Sequence, residues 1–392
     1  MPTTTKPAAT NTHLNEISRW LASRQPDMVA LVRELVVRES PTHNKGACDA
    51  LCEFLAAQFR AIGGRVKIHR EKTAGNHHEV DFAGAKSRKP VLLLGHYDTV
   101  YDLGTLKTMP WREEDGKLCG PGVFDMKSGI VQMIYAVRAL RETDQRLPRP
   151  VKVWLVSDEE VGSESSRAMT ERLASQCAAV FVCEPSGPGG ALKTARKGVG
   201  DFTIRVIGRA AHSGLDFEKG HSAIQELAHQ IHAIARLTDL KRGITMNVGI
   251  IRGGTRTNVV AGEASADLDL RIWKKSDGPR MERRVKALKP VNRNCKLEIT
   301  GGVNRPPLER TKDVAALFAT ARRVAGELGF ELGEIAVGGG SDGNFTGGIG
   351  IPTLDGLGAV GDGAHATHEY VVAAELPRRA ALLAGLITSL QG

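Results

Sequence analysis

The sequence predicts an α/β chain in which a mostly parallel central sheet, flanked by helices, is interrupted by a smaller α+β domain. Short apolar runs at 91–94, 151–156 and 178–183 alternate with helical stripes, the pattern of buried parallel strands covered on both faces. From about residue 198 the pattern becomes strand, helix, strand, strand, helix, strand, the order of a split βαβ (ferredoxin-like) unit. After Arg305-Pro306-Pro307 a helical stripe resumes, so the smaller domain is inserted into the larger one. A chain of 392 residues also exceeds what one hydrophobic core normally supports.

Residues 1–13, rich in Thr, Ala and Pro, are expected to be a disordered leader. Residues 14–38 carry apolar side chains at helical spacing and stop before Ser40-Pro41, where proline disfavours helix in the residue ahead of it. A second helix is expected over 45–62, closed by Gly63-Gly64. Met126, Ile130, Met133, Ile134, Val137 and Leu140 form a helical stripe between the first two apolar runs. The inserted domain reads as strand 201–208, helix 222–237, strands 246–252 and 264–272, helix 276–288 and strand 295–300. A helix over 313–328 opens the return, which gives boundaries of 14–197 with 307–392 for the larger domain and 198–306 for the smaller.

Apolar residues make up 41% of the chain, ample for a core. Formal charge is +9, but the basic residues read as scattered and aromatics are only 5%. A nucleic-acid groove clusters charge and interleaves aromatics, so the balance is read as attraction of anionic small substrates, without nucleic acid as a partner. Cys48, Cys52, Cys119, Cys177, Cys183 and Cys295 show no Cys-x-x-Cys spacing, which argues against a zinc knuckle or a disulfide framework and for buried thiols. The amino terminus lacks a signal-peptide core and no later run is long and apolar enough for a membrane span. A cytoplasmic location without membrane contact is expected.

The chemistry-bearing residues sit at strand ends. Gly95-His96-Tyr97-Asp98 follows the first apolar run, Asp158-Glu159-Glu160 the second and Cys183-Glu184-Pro185 the third. A glycine turn, Gly120-Pro121-Gly122, precedes Asp125, and Ala364-His365-Ala366-Thr367-His368-Glu369 lies near the carboxyl end. Singly, each is an ordinary strand end or loop. Together they bring two imidazoles and several carboxylates to one sheet edge, where such folds bind ligands, and that is the donor set of a zinc site with two metals. Neighbouring side chains on an extended chain diverge, so one of Glu159 and Glu160 can bind metal while the other handles a proton.

These five motifs, in this order, resemble the zinc-dependent aminoacylase and carboxypeptidase family, which includes carboxypeptidase G-type glutamate carboxypeptidases, acetylornithine deacetylase and succinyl-diaminopimelate desuccinylase. The resemblance runs from about Leu31 to the end of the chain. It implies a di-zinc catalytic domain with an inserted lid and dimerisation domain. It implies His96, Asp125 and Glu184 on one zinc and Asp125, Glu160 and His365 on the other, with Asp125 bridging, cobalt or manganese being possible substitutes. Asp98 would orient His96, and Glu159 would be the general base. The family pattern sets its histidine four residues before a Glu, which selects His365 over His368.

The resemblance extends to the inserted domain. Gly208-Arg209-Ala210-Ala211-His212-Ser213-Gly214 resembles the segment whose histidine stabilises the oxyanion in a partner subunit's active site, which implies a homodimer. Asn258 and Arg271 match positions near the substrate, although Arg271 reads equally as an ion-paired strand residue. Gly302-Val303-Asn304-Arg305-Pro306 resembles the segment whose arginine holds a substrate's terminal carboxylate, and Gly338-Gly339-Gly340 a pocket-lining turn. The implied activity is hydrolysis of the amide before a carboxyl-terminal amino acid in a short peptide or N-acyl amino acid. The alternatives are an N-acyl-amino-acid deacylase and a non-catalytic metal-binding protein; the spare carboxylate of Glu159 argues against the latter. A serine or cysteine nucleophile is not expected, His77-His78 reads as a solvated loop, and Arg196-Lys197-Gly198 reads as a domain junction.

Overall fold

The computed structural model describes residues 9–143 and 147–390, and within them the chain forms two compact units. The first comprises the chain up to Ala195, Arg310–Ala336 and the chain from Ser341 on; the second comprises Arg196–Glu309 and Val337–Gly340. The glycine turn at 338–340 thus belongs with the second unit.

The first unit is built on a six-stranded sheet in the order Arg65–His69, His77–Phe82, Val151–Val156, Val91–His96, Ala179–Val182, Thr353–Leu354. The last four strands run parallel, and the first two join antiparallel. Alternate side chains serve two cores, as the period of two in a strand requires. Val91, Leu93, Val153, Leu155 and Phe181 face one cluster, which includes the almost wholly buried helix Ser128–Glu142 and the helix Glu375–Ser389. Leu92, Leu94, Trp154, Val156, Val180 and Val182 face a second cluster against the helix Arg167–Ser175. Arg379, buried in the carboxyl-terminal helix, donates to the carbonyls of Gly358, Gly190 and Gly356 at 3.0, 2.8 and 2.5 Å. Gly358 in turn donates to the carbonyl of Glu184, so this cation braces the turn behind one strand end.

Several expectations are corrected. Residues 1–8 of the leader lie outside the described residues, and a helix, Ala9–Ser23, begins inside it. The single helix expected over 14–38 is two, Ala9–Ser23 and Gln25–Val36. They break at Arg24 (φ −104°, ψ 6°), because Pro26 has no N–H for an interior helical bond and suits the first turn of a new helix. His77 and His78 are not a solvated loop. They lie buried in the strand His77–Phe82, with His77 Nε2 3.0 Å from Ser165 Oγ and His78 Nε2 3.1 Å from Cys52 Sγ. Helix Lys45–Ala61 starts where expected, its cap Asn44 accepting from the Ala47 N–H at 3.0 Å.

The second unit folds as a four-stranded antiparallel sheet in the order Thr245–Gly253, Glu263–Ile272, Gly198–Ile207, Lys296–Arg305. Helices Ala223–Ala235 and Asp277–Lys286 close a single core that includes Ile204, Val206, Leu227, Leu268 and Met281. The basic charge is not scattered: residues 274–296 hold nine Lys and Arg against two Asp and Glu, which is +7 of the chain's +9. Arg283, Arg284 and Lys286 stand exposed on that helix, while Met281 and Val285 face the core. The six cysteines are all free thiols, and no helix among the described residues is long and apolar enough to cross a membrane.

Buried Glu226 ties the second unit's last loop in place. Its carboxylate accepts from the backbone N–H groups of Val291 (3.0 Å) and Asn292 (2.7 Å) and from Gln230 Nε2 (2.6 Å). Burial alone would raise its pKa, but these donors hold it below the ordinary carboxylate value. A depressed folded pKa contributes stability above the unfolded value of about 4.3, lost as pH falls through the folded value. Glu226→Gln is therefore expected to cost about 2 kcal/mol at pH 7. Thermal unfolding of both proteins from pH 7 down to 3 should show the gap closing as acid protonates the wild-type carboxylate; a gap that widens in acid would contradict this.

Candidate metal centre

Three parallel strands deliver their ends to one sheet edge. Val91–His96 ends on His96, Val151–Val156 leads to the short turn Glu159–Val161, and Ala179–Val182 leads to Glu184. His96 Nε2 lies 3.1 Å from Asp125 Oδ1 and 3.3 Å from Glu184 Oε1. Asp125 Oδ2 lies 3.4 Å from His365 Nε2, which is also 3.2 Å from Glu160 Oε2. Asp125 therefore stands between two imidazoles with one oxygen toward each. Donor atoms of His96, Glu159 and Glu184 lie within 4.8 Å of one another, as do those of His96, Asp125 and Glu160.

Glu159 and Glu160 occupy one turn of 3-10 helix rather than the extended chain assumed above. Successive residues there turn by about 120°, so the two side chains still part. His365 sits in the left-handed region at φ +62°, and its side chain is 50% exposed. His368 is exposed and makes no such approach to the carboxylates among the described contacts.

The surroundings fix the orientation of these groups. His96 Nδ1 lies 3.1 Å from the Asp98 carbonyl and 3.4 Å from Asp98 Oδ1. Asp98 is wholly buried and accepts at Oδ2 from Thr42 Oγ1 (2.8 Å) and the Glu160 N–H (3.3 Å). Glu369 is wholly buried as well. It accepts at Oε1 from the N–H groups of Phe124 (2.7 Å) and Asp125 (2.9 Å), and at Oε2 from the Gly122 N–H (3.0 Å) and Tyr101 Oη (2.6 Å). Asp158 accepts at Oδ2 from the Ser165 N–H and hydroxyl (2.8 and 2.7 Å) and so folds the loop carrying Glu159 and Glu160 back on itself.

The electrostatics fit a cation. Burial works to lower the His96 pKa, yet Asp125, Asp98 and Glu184 hold it well above the ordinary imidazole value. His365 is raised to about 10 by Asp125 and Glu160. Burial would raise Asp125, but His365 and His96 hold it well below the carboxylate range. Glu160 is raised by burial, and its Oε1 is buried with no hydrogen-bond partner among the described residues. An undonated buried carboxylate oxygen is costly, and the surrounding N and O donors are those a hard or borderline divalent ion takes.

The remaining candidates belong to the second unit. His212, exposed at the end of Ala211–His212, accepts at Nδ1 from the N–H groups of Gly214 (3.1 Å) and Leu215 (3.2 Å). Asn258 lies beside it, its carbonyl accepting from the Ser213 N–H at 3.0 Å. Arg271 is ion-paired with Asp269 at 2.8 Å and approaches the Gly338 carbonyl at 3.4 Å. Arg305 ends the strand Lys296–Arg305, is buried, and passes so near Gly340 that a Cβ added there would lie 3.1 Å from its Cδ. Arg196, read above only as a junction residue, is buried and donates to the carbonyls of Gly339 (3.2 Å) and Gly340 (3.1 Å). Three arginines thus gather about one glycine turn, which sequence spacing alone does not reveal. Residues 339–343 also carry the Gly-x-Ser-x-Gly spacing of a serine nucleophile. Ser341 is nevertheless buried and donates to Asp355 Oδ2 at 2.6 Å.

Residues 92–389 match the model of peptidase family M20/M25/M40. The chain is 28% identical over 386 residues to carboxypeptidase G2 of a Pseudomonas species, covering 96% of this chain and 92% of that protein. It is 26% identical over 266 residues to acetylornithine deacetylase of Salmonella arizonae, covering 63% and 68%. Among solved structures it is similar to the aminopeptidase PepT of Bacillus cereus, with a TM-score of 0.77 and 23% identity over 93% of this chain and 98% of that one. Human carnosine dipeptidase 1 gives a TM-score of 0.72 with 18% identity, covering 97% and 98%. With a His, Asp and Glu cluster at one sheet edge and a family match across most of its length, this chain is a hydrolase that belongs to the peptidase family M20/M25/M40.

Proposed function

We propose that the protein hydrolyses the amide bond preceding a carboxyl-terminal amino acid, as a glutamate carboxypeptidase-like exopeptidase that uses two zinc ions. The observation that carries this reading is Asp125, set between two imidazoles with Glu159 close by. The similarity to carboxypeptidase G2 over 96% of the chain supports it. His96, Asp125 and Glu184 would hold one ion, and Asp125, Glu160 and His365 the other; cobalt or manganese would suit the same donors. When bound, the pair supplies Lewis-acid polarisation of the scissile carbonyl and a lowered pKa for the attacking water.

The chain's own groups do the rest. Asp98 orients His96 through Nδ1. Glu159 takes a proton from the attacking water and delivers it to the leaving amine nitrogen as the C–N bond breaks. His212 accepts two N–H bonds at Nδ1, so a neutral ring carries its proton on Nε2. In a homodimer that nitrogen donates to the oxyanion in the partner's site. The edge strand Thr245–Gly253, with Ile250 and Ile251 exposed, supports pairing through the second unit. Arg305 holds the substrate's free carboxylate with a planar fork, Arg271, Asn258 and Gly339 lie along the substrate, and the cationic segment 274–296 draws anions toward this unit.

A second reading, N-acyl-amino-acid deacylase, is favoured by the similarity to acetylornithine deacetylase. Short peptides ending in glutamate, assayed beside N-acetylated glutamate, aspartate, alanine and ornithine, separate the two: turnover of the peptides supports the exopeptidase, and turnover of the N-acetyl amino acids alone supports the deacylase. In either case Glu159→Gln is expected to lower kcat by about 10²–10⁴-fold while zinc content stays at the wild-type level. A variant with undiminished kcat would remove Glu159 as the base. Arg305→Ala is expected to raise KM about 10–100-fold for substrates with a free carboxylate, with partial recovery in Arg305→Lys, and to leave carboxamide analogues unaffected. Equal losses on both substrate types would assign Arg305 to the fold instead.

A further inference from the structure

Glu369 has no assigned role in the reaction, yet it joins the two segments that carry Asp125 and His365. The strand Tyr370–Val372 pairs with Lys117–Cys119, matching Tyr370 to Cys119. Glu369 therefore enters the sheet directly opposite the chain that goes on to Gly120 and Asp125. Its carboxylate takes the three N–H groups of Gly122, Phe124 and Asp125, which carry the turn into Asp125. Gly122 lies at φ +72°, and the turn around it belongs to neither a strand nor a regular α-helix. On the other side, the segment from Gly363 to His368 is held locally by two backbone bonds, Ala366 N–H to Gly363 at 2.9 Å and Glu369 N–H to Ala366 at 3.1 Å. Tyr101 Oη closes the circuit: it lies 2.6 Å from Glu369 Oε2 and 3.0 Å from the Ala366 carbonyl, one residue after His365.

We infer that Glu369, assisted by Tyr101, is a positioning residue that sets the separation of Asp125 and His365 and thereby the affinity of the second metal, the one held with Glu160. This rests on the two-metal reading proposed above. The first metal's other ligands, His96 and Glu184, sit on strand ends that Glu369 does not touch, so its loss falls mainly on one ion of the pair. The geometry also says why glutamine fails as a substitute. With Oε1 kept on Phe124 and Asp125, the new amide would point a donor at the Gly122 N–H, where only an acceptor fits.

The test is zinc titration of the metal-free full-length protein against a competing chelator, with hydrogen exchange at the Gly122, Phe124 and Asp125 amides measured on the same metal-free samples. Wild type is expected to bind two zinc ions. In Glu369→Gln the first should bind within about threefold of wild type and the second about 10–100-fold more weakly, with amide protection at the three positions falling about 10–100-fold. Tyr101→Phe leaves the backbone bonds intact and should weaken only the second ion, by about 3–10-fold. If Glu369→Gln does not fold, Tyr101→Phe alone decides. Two zinc ions at wild-type affinities in the variant that folds, with unchanged amide protection, would overturn the inference. A wild type that binds no zinc but loses amide protection in Glu369→Gln would overturn the metal reading and leave the strut as a purely structural one.

Discussion

Buried carboxylates gathered at one sheet edge are the constraint on which the rest of this structure depends. Asp98, Asp125, Glu160, Glu184 and Glu369 are withdrawn from solvent to differing degrees within one neighbourhood, and like charges so placed repel strongly in a medium of low dielectric. The chain answers with three kinds of compensation. Backbone N–H groups satisfy Glu369, hydroxyl and backbone donors reach Asp98 at Oδ2, and imidazoles face Asp125, Glu160 and Glu184. Of these five, Asp98 Oδ1 and Glu160 Oε1 are buried without a hydrogen-bond partner among the described residues.

The topology explains why the acids meet. Three neighbouring parallel strands end at the same edge, so residues as far apart as His96, Glu159 and Glu184 become neighbours without any long loop. That part was legible in the sequence because the apolar runs are short, continuous and each followed by His or an acid. The parallel sheet and the inserted four-stranded unit trace to such local signals, whereas the choice of His365, which lies beside Asp125, over His368 rests on the family resemblance.

What escaped the sequence depended on partners distant along the chain. His77 and His78 look solvated until the strand they occupy is seen between two others, with Ser165 and Cys52 waiting for their nitrogens. Arg196 does stand at the boundary between the two units, but its bonds to the carbonyls of Gly339 and Gly340 are not legible from its neighbours in sequence. Glu369 served in the sequence only to mark which histidine to choose; its three N–H partners lie some 250 positions away. The helix break at Arg24 was readable in principle, since Pro26 carries the signal, but amphipathic spacing on both sides masked it. Charge is a different case: a net total hides the concentration of cations in residues 274–296.

The proposed chemistry needs two metals that share Asp125. A crystal of the zinc-loaded protein, with anomalous scattering recorded on both sides of the zinc absorption edge, tests it most directly. Two peaks are expected about 3.5–4 Å apart, one at each carboxylate oxygen of Asp125, with His96 and Glu184 beside one and Glu160 and His365 beside the other. A single peak away from Asp125, or peaks on other residues altogether, would contradict it.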